Sequence, residues 1–316
     1  MTVTVVHPRE LGPHEVQQWA EFERSPSLGS PFLSAEFARI VGEVRDDARV
    51  AVVDEGHTTC AYFPFQIDEE RVGRPIGASI ADAQAVMCDA DWEFDARELI
   101  AAAGLASWHF DHLVVSQLPF APYHRQRHRA PLVDLQRGHE HFLLEVRAQS
   151  KDLLAQVGRR RRKLEREVGP VVCEWQSSHP EHDLRRLQQW KSGQYARDET
   201  WDRFASPWIA ETVGRLTRSR DPGCTGVLTS LVAGDRLVAA HFGLRGQDRL
   251  SWWFPAYDPE FGRYSPGLIL LLAVIKEASE RAVPVVDLGR GEHGYKLRVT
   301  PHFSEVAEGC VVSTPP

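Results

Sequence analysis

The sequence predicts an α/β protein built from two domains. At 316 residues the chain is long enough for two separate cores. Strand-like and helix-like runs alternate along its length, which is the order of an α/β fold. A segment punctuated by Pro119, Pro122 and Pro131 and rich in histidine and arginine, Pro119–Leu135, marks a boundary between residues 1–135 and 136–316.

Taken in order, residues 1–10 read as an opening strand and Pro13–Arg24 as an amphipathic helix with Val16, Trp19 and Phe22 on one side. A turn-rich loop, Ser25–Pro31, precedes a helix over Leu33–Val44, for which Ser34 is a cap. Arg49–Asp54 and Thr58–Gln66 form a strand pair across Asp54-Glu55-Gly56-His57, a hairpin signal. Gly73–Asp82 reads as a glycine-rich loop, Phe94–Gly104 as a helix and His112–Ser116 as a strand. In the second domain, helices are expected over Gly138–Arg147, Ser150–Val168, Glu181–Gly193 and Phe204–Ser219. Strands are expected at Pro170–Gln176 and Thr225–Ala233, and Glu305–Val312 closes the fold.

The most informative stretch runs from Arg236 to Lys296. It reads as a hairpin (Arg236–Leu244 and Arg249–Phe254), a polar loop, an apolar helix from Pro266, a strand (Val283–Gly289) and a glycine turn through Arg290–Lys296. Ser265 before Pro266 signals a helix start, because a hydroxyl can cap free amides and proline tolerates the first helical position. Gly267 removes a side chain there, so an anion can approach the exposed N–H groups and the positive end of the helix dipole. A strand on either side makes a β-loop-α-β crossover with an anion cradle at its helix start. The sheet is expected to splay after Arg249–Phe254, leaving a slot beside Val283–Gly289.

Three separated motifs carry a family resemblance: Trp253 with Ala256-Tyr257-Asp258-Pro259; Tyr264-Ser265-Pro266-Gly267; and Asp287-Leu288-Gly289-Arg290-Gly291 followed by Tyr295-Lys296. In this order they resemble the acyl-CoA core of the GNAT acyltransferase superfamily. More closely they resemble its cellulose-biosynthesis-associated acetyltransferases, related to the Fem-type peptidoglycan aminoacyltransferases. Ordinary GNAT enzymes place Gln/Arg-x-x-Gly-x-Gly/Ala at the helix start. Here the loop is Gly262-Arg263-Tyr264-Ser265-Pro266-Gly267, with proline in place of one glycine. The resemblance implies two fused GNAT-like domains with mixed central sheets flanked by helices, the first a degenerate copy. It implies acyl-CoA, acetyl-CoA foremost, as co-substrate, held by Trp253, Tyr264, Ser265, Pro266 and Gly267.

Several side chains are candidates for the chemistry. His241 lies on an apolar strand face, where a histidine is either a satisfied core residue or, beside the expected cleft, a general base. Asp287 ends a buried strand and can act as a base, orient Lys296, cap the turn or simply pair with Lys296. Lys296 can place a positive charge on a developing oxyanion or a phosphate, the role that Fem-type relatives imply for it. Glu292 and Tyr295 share its turn as substrate-binding candidates. The basic run Arg159–Lys163 reads as an anion pocket or as a solvated helix laced by Glu165 and Glu167, with Leu153, Val157 and Leu164 on its buried stripe. The position of a similar helix in relatives implies a substrate role for Lys151 and Arg162. Lys191, Gln194 and Tyr195, matching a Lys-x-x-Gln-Tyr segment of the family, follow a helix ending near Gly193 and form an acceptor-binding element or a polar loop.

Composition sets bounds. A net charge of -7 gives no reason to expect bulk nucleic-acid binding. Five scattered cysteines without Cys-x-x-Cys spacing read as reduced thiols of a cytoplasmic protein, with no metal implied. The N-terminus lacks the pattern of a signal peptide, and the longest apolar run, Leu268–Ile275, is too short to span a membrane. The expectation is therefore acyl transfer to an amine or hydroxyl of a small or cell-envelope (polysaccharide-related) acceptor. The rivals are a Fem-type transferase using charged tRNA and a non-catalytic binding module on the same fold.

Overall fold

A computed structural model describes residues 1–291 and 294–313 and divides the chain into two units. Unit 1 comprises Met1–Arg129, Asp221–Cys224 and Glu305–Pro316; unit 2 comprises Ala130–Arg220 and Thr225–Ser304. This division differs from 1–135 and 136–316 in three ways. It falls inside a strand, it gives Asp221–Cys224 to the first unit, and it returns residues 305–316 to the first unit.

Unit 1 begins with β1 (Thr2–Val6), α1 (Pro13–Phe22) and α2 (Ala35–Val44). Ser34 caps α2 as expected, its hydroxyl accepting from the Phe37 N–H at 3.0 Å. Strands β2 (Ala48–Glu55), β3 (Thr58–Ile67), β4 (Val72–Pro75) and β5 (Met87–Cys88) follow, then α3 (Ala96–Ala102) and β6 (Ser107–Val114). β4 and β5 occupy or follow the stretch expected to be a loop. Gly73 and Pro75 hide β4 from a periodicity argument, because neither carries a strand propensity. The strand order is β1-β2-β3-β4-β6, with β6 paired on its far side by the closing strand β13 (Phe303–Val312). All neighbours are antiparallel except β4 and β6. Phe63, Phe65, Trp108, Phe110 and Phe120 pack one face.

Unit 2 takes over within β7 (His124–Asp134). This strand was hidden in the boundary segment, since His124–Arg129 is uniformly polar and Pro131 lacks an N–H. Pro131 still serves the sheet through its carbonyl, which accepts from the Leu288 N–H at 2.9 Å. After it come α4 (Gly138–Gln149), α5 (Leu153–Glu167), β8 (Val171–Glu174), α6 (Pro180–Arg197) and α7 (Pro207–Leu216). The last part holds β9 (Thr225–Ala233), β10 (Arg236–Arg245), β11 (Arg249–Tyr257), α8 (Pro266–Glu280), β12 (Val285–Asp287) and α9 (Gly294–Val299). Strand order is β7-β12-β11-β10-β9-β8, and β11 with β12 is the parallel pair. The apolar helix α8 buries Ile269, Leu270, Leu271, Val274 and Ile275 in the core of this unit.

One irregularity shapes unit 2. The β10–β11 register steps from Phe242↔Phe254 to Leu244↔Ser251, so Trp252 and Trp253 together oppose Gly243. Such a bulge bends its strand and strengthens the local twist. It begins where β11 stops pairing with β12, at Ser251↔Asp287. Gly243 leaves the room this needs: a Cβ there would lie 2.7 Å from Nε2 of His241 and against the Ser251 carbonyl.

Two outcomes test this account. Gly243→Ala should destabilise unit 2 by about 2 kcal/mol or more through overpacking, read by denaturant melts; an unchanged midpoint would show that the bulge does not depend on the glycine. In unit 1, Glu23 accepts from the Ala35 N–H (3.2 Å), and burial, aided by repulsion from Asp221, pushes its carboxyl up to about 7. Its contribution to stability is full below about 4.5, where the unfolded carboxyl is also protonated, and is lost as pH rises through about 7. Glu23→Gln should therefore raise the melting temperature at pH 8 and leave it nearly unchanged at pH 4.

Candidate functional site

The open edge of β11 defines the site. Beyond Ser251 the strand is no longer paired with β12: Trp252 and Trp253 form the bulge, and Phe254–Tyr257 pair with β10. The expected splay is present. Unit 1 has the same topology around its β4–β6 pair, but there the chain fills its own fork. Gln84 bridges to Leu113 of β6, with N–H···O distances of 3.0 Å on both sides, and Met87–Cys88 pairs with β3. The two units thus share one scheme, and among the described residues no strand fills the fork of unit 2.

At the far end of β11 a single-turn helix, Pro259–Tyr264, leads into α8. The structure corrects the expected cap. Ser265 adopts the left-handed conformation (φ 52°, ψ 54°), and its hydroxyl makes no capping bond to the helix. It accepts from Nη1 of Arg160 at 2.5 Å, while its backbone carbonyl takes the N–H groups of Leu268 and Ile269. The left-handed residue turns the chain sharply into α8, a strained conformation of the kind found at ligand sites. Gly262 and Gly267 face the ring of Tyr257, whose carbons would lie 3.7 and 3.5 Å from added Cβ atoms. Tyr257 is 45% exposed and covers this cradle from outside. Tyr264, expected at the cofactor, is buried. Its hydroxyl donates to Glu167 at 2.7 Å and receives Nη2 of Arg263 at 2.6 Å, so it ties the loop to α5.

The basic run of α5 resolves into separate tasks. Leu153, Val157 and Leu164 are the buried stripe, as read from the sequence. Arg161 binds Glu165 and the Val171 carbonyl, and Lys163 lies 5.9 Å from the Tyr264 ring centre. Arg160 is the member that reaches the start of α8. Arg162 and Lys151, the residues that the resemblance implied, are both exposed, Arg162 within α5 and Lys151 just before it.

His241 is enclosed in the core of unit 2. It is 0% exposed, stacks on Trp252 at 4.0 Å and 18°, and shares Nδ1 with the Thr229 hydroxyl at 3.2 Å. Burial pushes its pKa down to about 3, although the Ser251 carbonyl acts in the opposite sense. A neutral imidazole that takes a proton only near pH 3 is a poor base at pH 7. Trp253, expected to line the cleft, is buried between Phe242 (5.9 Å) and Phe254 (4.4 Å).

Asp287 stands at the point where the fork opens, but its ion pair is with Arg249 (3.0 Å), not Lys296. Its other oxygen accepts from the Gly289 N–H at 2.8 Å. Lys296 lies on α9, a helix that the glycine turn concealed, and is 5% exposed. Its Nζ donates to the carbonyls of Gly289 (2.9 Å) and Arg290 (3.0 Å). Tyr295 is half-buried against the core of unit 2, and burial raises its phenol pKa, with the Trp252 indole acting in the opposite sense. Glu292 lies outside the described residues.

Lys191, Gln194 and Tyr195 sit within α6, which continues to Arg197 past the expected end at Gly193. The i, i+3, i+4 spacing puts the three on one helix face. Nζ of Lys191 donates to Oε1 of Gln194 (3.1 Å) and to the Pro255 carbonyl of β11 (3.3 Å), on the splayed part of the strand. Burial first, then Arg203, and more weakly Lys296, push the Lys191 ammonium down to about 8; Asp198 opposes this. Arg203 was not singled out by the sequence, because it lies in an irregular segment without periodicity.

Residues 151–297 match the acetyltransferase (GNAT) domain family. No curated protein is significantly similar in sequence. The solved structure of FemX superposes with a TM-score of 0.64 at 9% identity, covering 98% of this chain and 96% of that one. A conserved protein of unknown function from Bacteroides thetaiotaomicron gives 0.63 at 9% identity, with 98% and 100% covered. A tandem GNAT protein from the clavulanic acid biosynthesis pathway gives 0.53 at 12% identity, with 99% of each chain covered. At such identities the likeness concerns the fold, and the fold is α/β: two fused GNAT-like domains, each a mixed sheet flanked by helices.

Proposed function

We propose that unit 2 transfers an acyl group, acetyl foremost, from acyl-CoA to an amine or hydroxyl. The observation that carries this reading is the open fork between β11 and β12, with the start of α8 at the far end of β11. The residues present suit such a donor. The backbone edge of Phe254–Tyr257, apart from the Pro255 carbonyl that Lys191 holds, suits an amide-containing arm, as an added strand would use it. The amide of Gly267, the positive end of α8 and Arg160 suit phosphate groups.

Bound there, a thioester supplies an activated carbonyl carbon. An amine held in the fork attacks it, the new C–N bond forms as the C–S bond breaks, and the departing thiolate takes the proton that the amine loses. Lys296, fixed on the Gly289 and Arg290 carbonyls, supplies fixed positive charge beside the fork. No role for His241 is needed. The motif resemblance through Trp253, Ser265–Gly267 and Tyr295-Lys296 supports placement in the cellulose-biosynthesis-associated branch. With it come a cytoplasmic setting and a small or cell-envelope acceptor. No helix among the described residues is long and apolar enough to cross a membrane.

Calorimetric titration with acetyl-CoA tests the donor site. Binding should persist in Gly267→Ala, since the added Cβ meets Tyr257 only at ordinary contact distance, and should vanish in Gly267→Trp. Arg160→Met should weaken it about tenfold, the worth of one lost charged contact of about 1.4 kcal/mol. No wild-type binding at millimolar acetyl-CoA would overturn this reading and favour charged tRNA as donor. A second test concerns the base: once turnover is established, His241→Gln should leave the shape of the pH–rate profile between pH 5.5 and 8 unchanged. A lost ionisation near neutrality would restore His241 as the base.

A further inference from the structure

The amine of Lys191 is held in a way that suits its neutral form. Its Nζ lies 3.1 Å from Oε1 of Gln194 and 3.3 Å from the Pro255 carbonyl, and both partners are neutral acceptors. An ammonium carries three hydrogens, whereas a neutral amine carries two and a lone pair. Two acceptors therefore satisfy the neutral amine and leave its lone pair unused. The ammonium keeps one hydrogen over, in a half-buried place where that costs free energy. The electrostatics act in the same direction: burial first, then Arg203 and more weakly Lys296 disfavour the charge, while Asp198 opposes them. With the ammonium pushed down to about 8, about a quarter of Lys191 is neutral at pH 7.5, against about one in a thousand of an ordinary lysine.

The lone pair also stands at a telling place. Pro255 belongs to the part of β11 that has left β12, the edge along which the acyl donor's arm is proposed to lie. The ring of Tyr195, 5.3 Å from Nζ, and Phe204, packed on Phe254 at 5.0 Å, put aromatic surface around it. The other four lysines differ. Lys151, Lys163 and Lys276 are exposed, and Lys296 is 5% exposed with its Nζ donating to two carbonyls.

We propose that Lys191 is a self-acylation site: its Nζ attacks the thioester carbonyl of the bound donor and becomes an Nε-acyl-lysine at the edge of the fork. This rests on the acyl-CoA reading. The new C–N bond forms as the C–S bond breaks, and the departing thiolate takes the proton that the amine loses, so no further reactant is required. The product amide has one N–H and no charge, so it serves only one of Gln194 and Pro255. Its acyl group competes with the donor arm for the same edge, and the modification limits turnover when acceptor is scarce.

Acetyl-CoA alone is the probe, so the test needs no acceptor. Full-length protein is incubated with millimolar acetyl-CoA at pH 7.5, and peptide mass spectrometry reads acetylation at each of the five lysines. Lys191 should carry about tenfold more label than Lys151, Lys163 or Lys276, or a still larger excess. Its labelling rate should rise with pH through a midpoint near 8 and then level off, while that of exposed lysines climbs on toward about 10.4. Arg203→Met removes a neighbouring cation and favours the ammonium, so it should slow labelling about threefold at pH 7.5; Asp198→Asn should speed it. Gly267→Trp, which blocks the start of α8, should abolish labelling by acetyl-CoA. It should leave Lys191 reactive toward the N-hydroxysuccinimide ester of acetic acid, a small reagent that needs no donor site. Label spread evenly over the exposed lysines would overturn the proposal, as would labelling of Lys191 at full rate in Gly267→Trp. Calorimetry on the same samples separates the two readings. Acetyl-CoA binding without label on Lys191 sinks self-acylation alone, and absence of both binding and label sinks the donor reading with it.

Discussion

The geometry of unit 2 depends on one backbone irregularity, the extra residue that β11 carries opposite Gly243. A regular ladder would keep β11 beside β12 and close the slot with its own hydrogen bonds. The bulge at Trp252–Trp253 turns β11 away after three paired residues and ends its strand pairing with β12. Unpaired strand edges invite further pairing, and here the exposed edge lies inside a cleft. The tight stack of His241 on Trp252 makes sense in this light. It fills the space that Gly243 leaves and fixes one of the two bulged residues in the core. The histidine that looked like a catalyst is therefore part of the frame that keeps the slot open.

Much of the second unit was legible in the sequence, and the reasons are local. Hairpin chemistry and an apolar helix with proline at its first position are written in adjacent residues, so β9, β10, β11 and α8 emerged close to their real bounds. What could not be read were features set by distant contacts. Arg160 and Arg162 are equivalent on sequence grounds, and only the packing of α5 against the loop before α8 decides that Arg160 meets Ser265. His241 alternates correctly for a cleft-facing residue, yet Trp252 encloses it from the neighbouring strand. Gln194 and Tyr195 were recognised but placed beyond the helix, because Gly193 resembles a stop signal that the packing of α6 on β10 and β11 overrides. β7 was missed for the opposite reason: its polar half shows no strand pattern.

The contrast between the units shows how one fold can be opened or sealed. Both contain a parallel pair joined by a crossover. In unit 1 the segment Gln84–Cys88 lies between β3 and β6 and pairs with both. The difference is one of chain routing, since a longer connection before α3 folds back where α8 follows a short loop. Fold similarity alone would have assigned both halves the same potential, and hydrogen-bond pairing separates them.

The route of the chain also orders its synthesis. The polypeptide passes between the units at 129/130, 220/221, 224/225 and 304/305, and β13, which pairs with β6 of the first unit, lies almost wholly after the last residue of unit 2. A chain growing from its N-terminus therefore has every residue of unit 2 in hand while the first sheet still has an open flank along β6. The unit that begins first is finished last. Throughout that interval Trp108, Phe110 and their neighbours wait for a strand that has not yet left the ribosome.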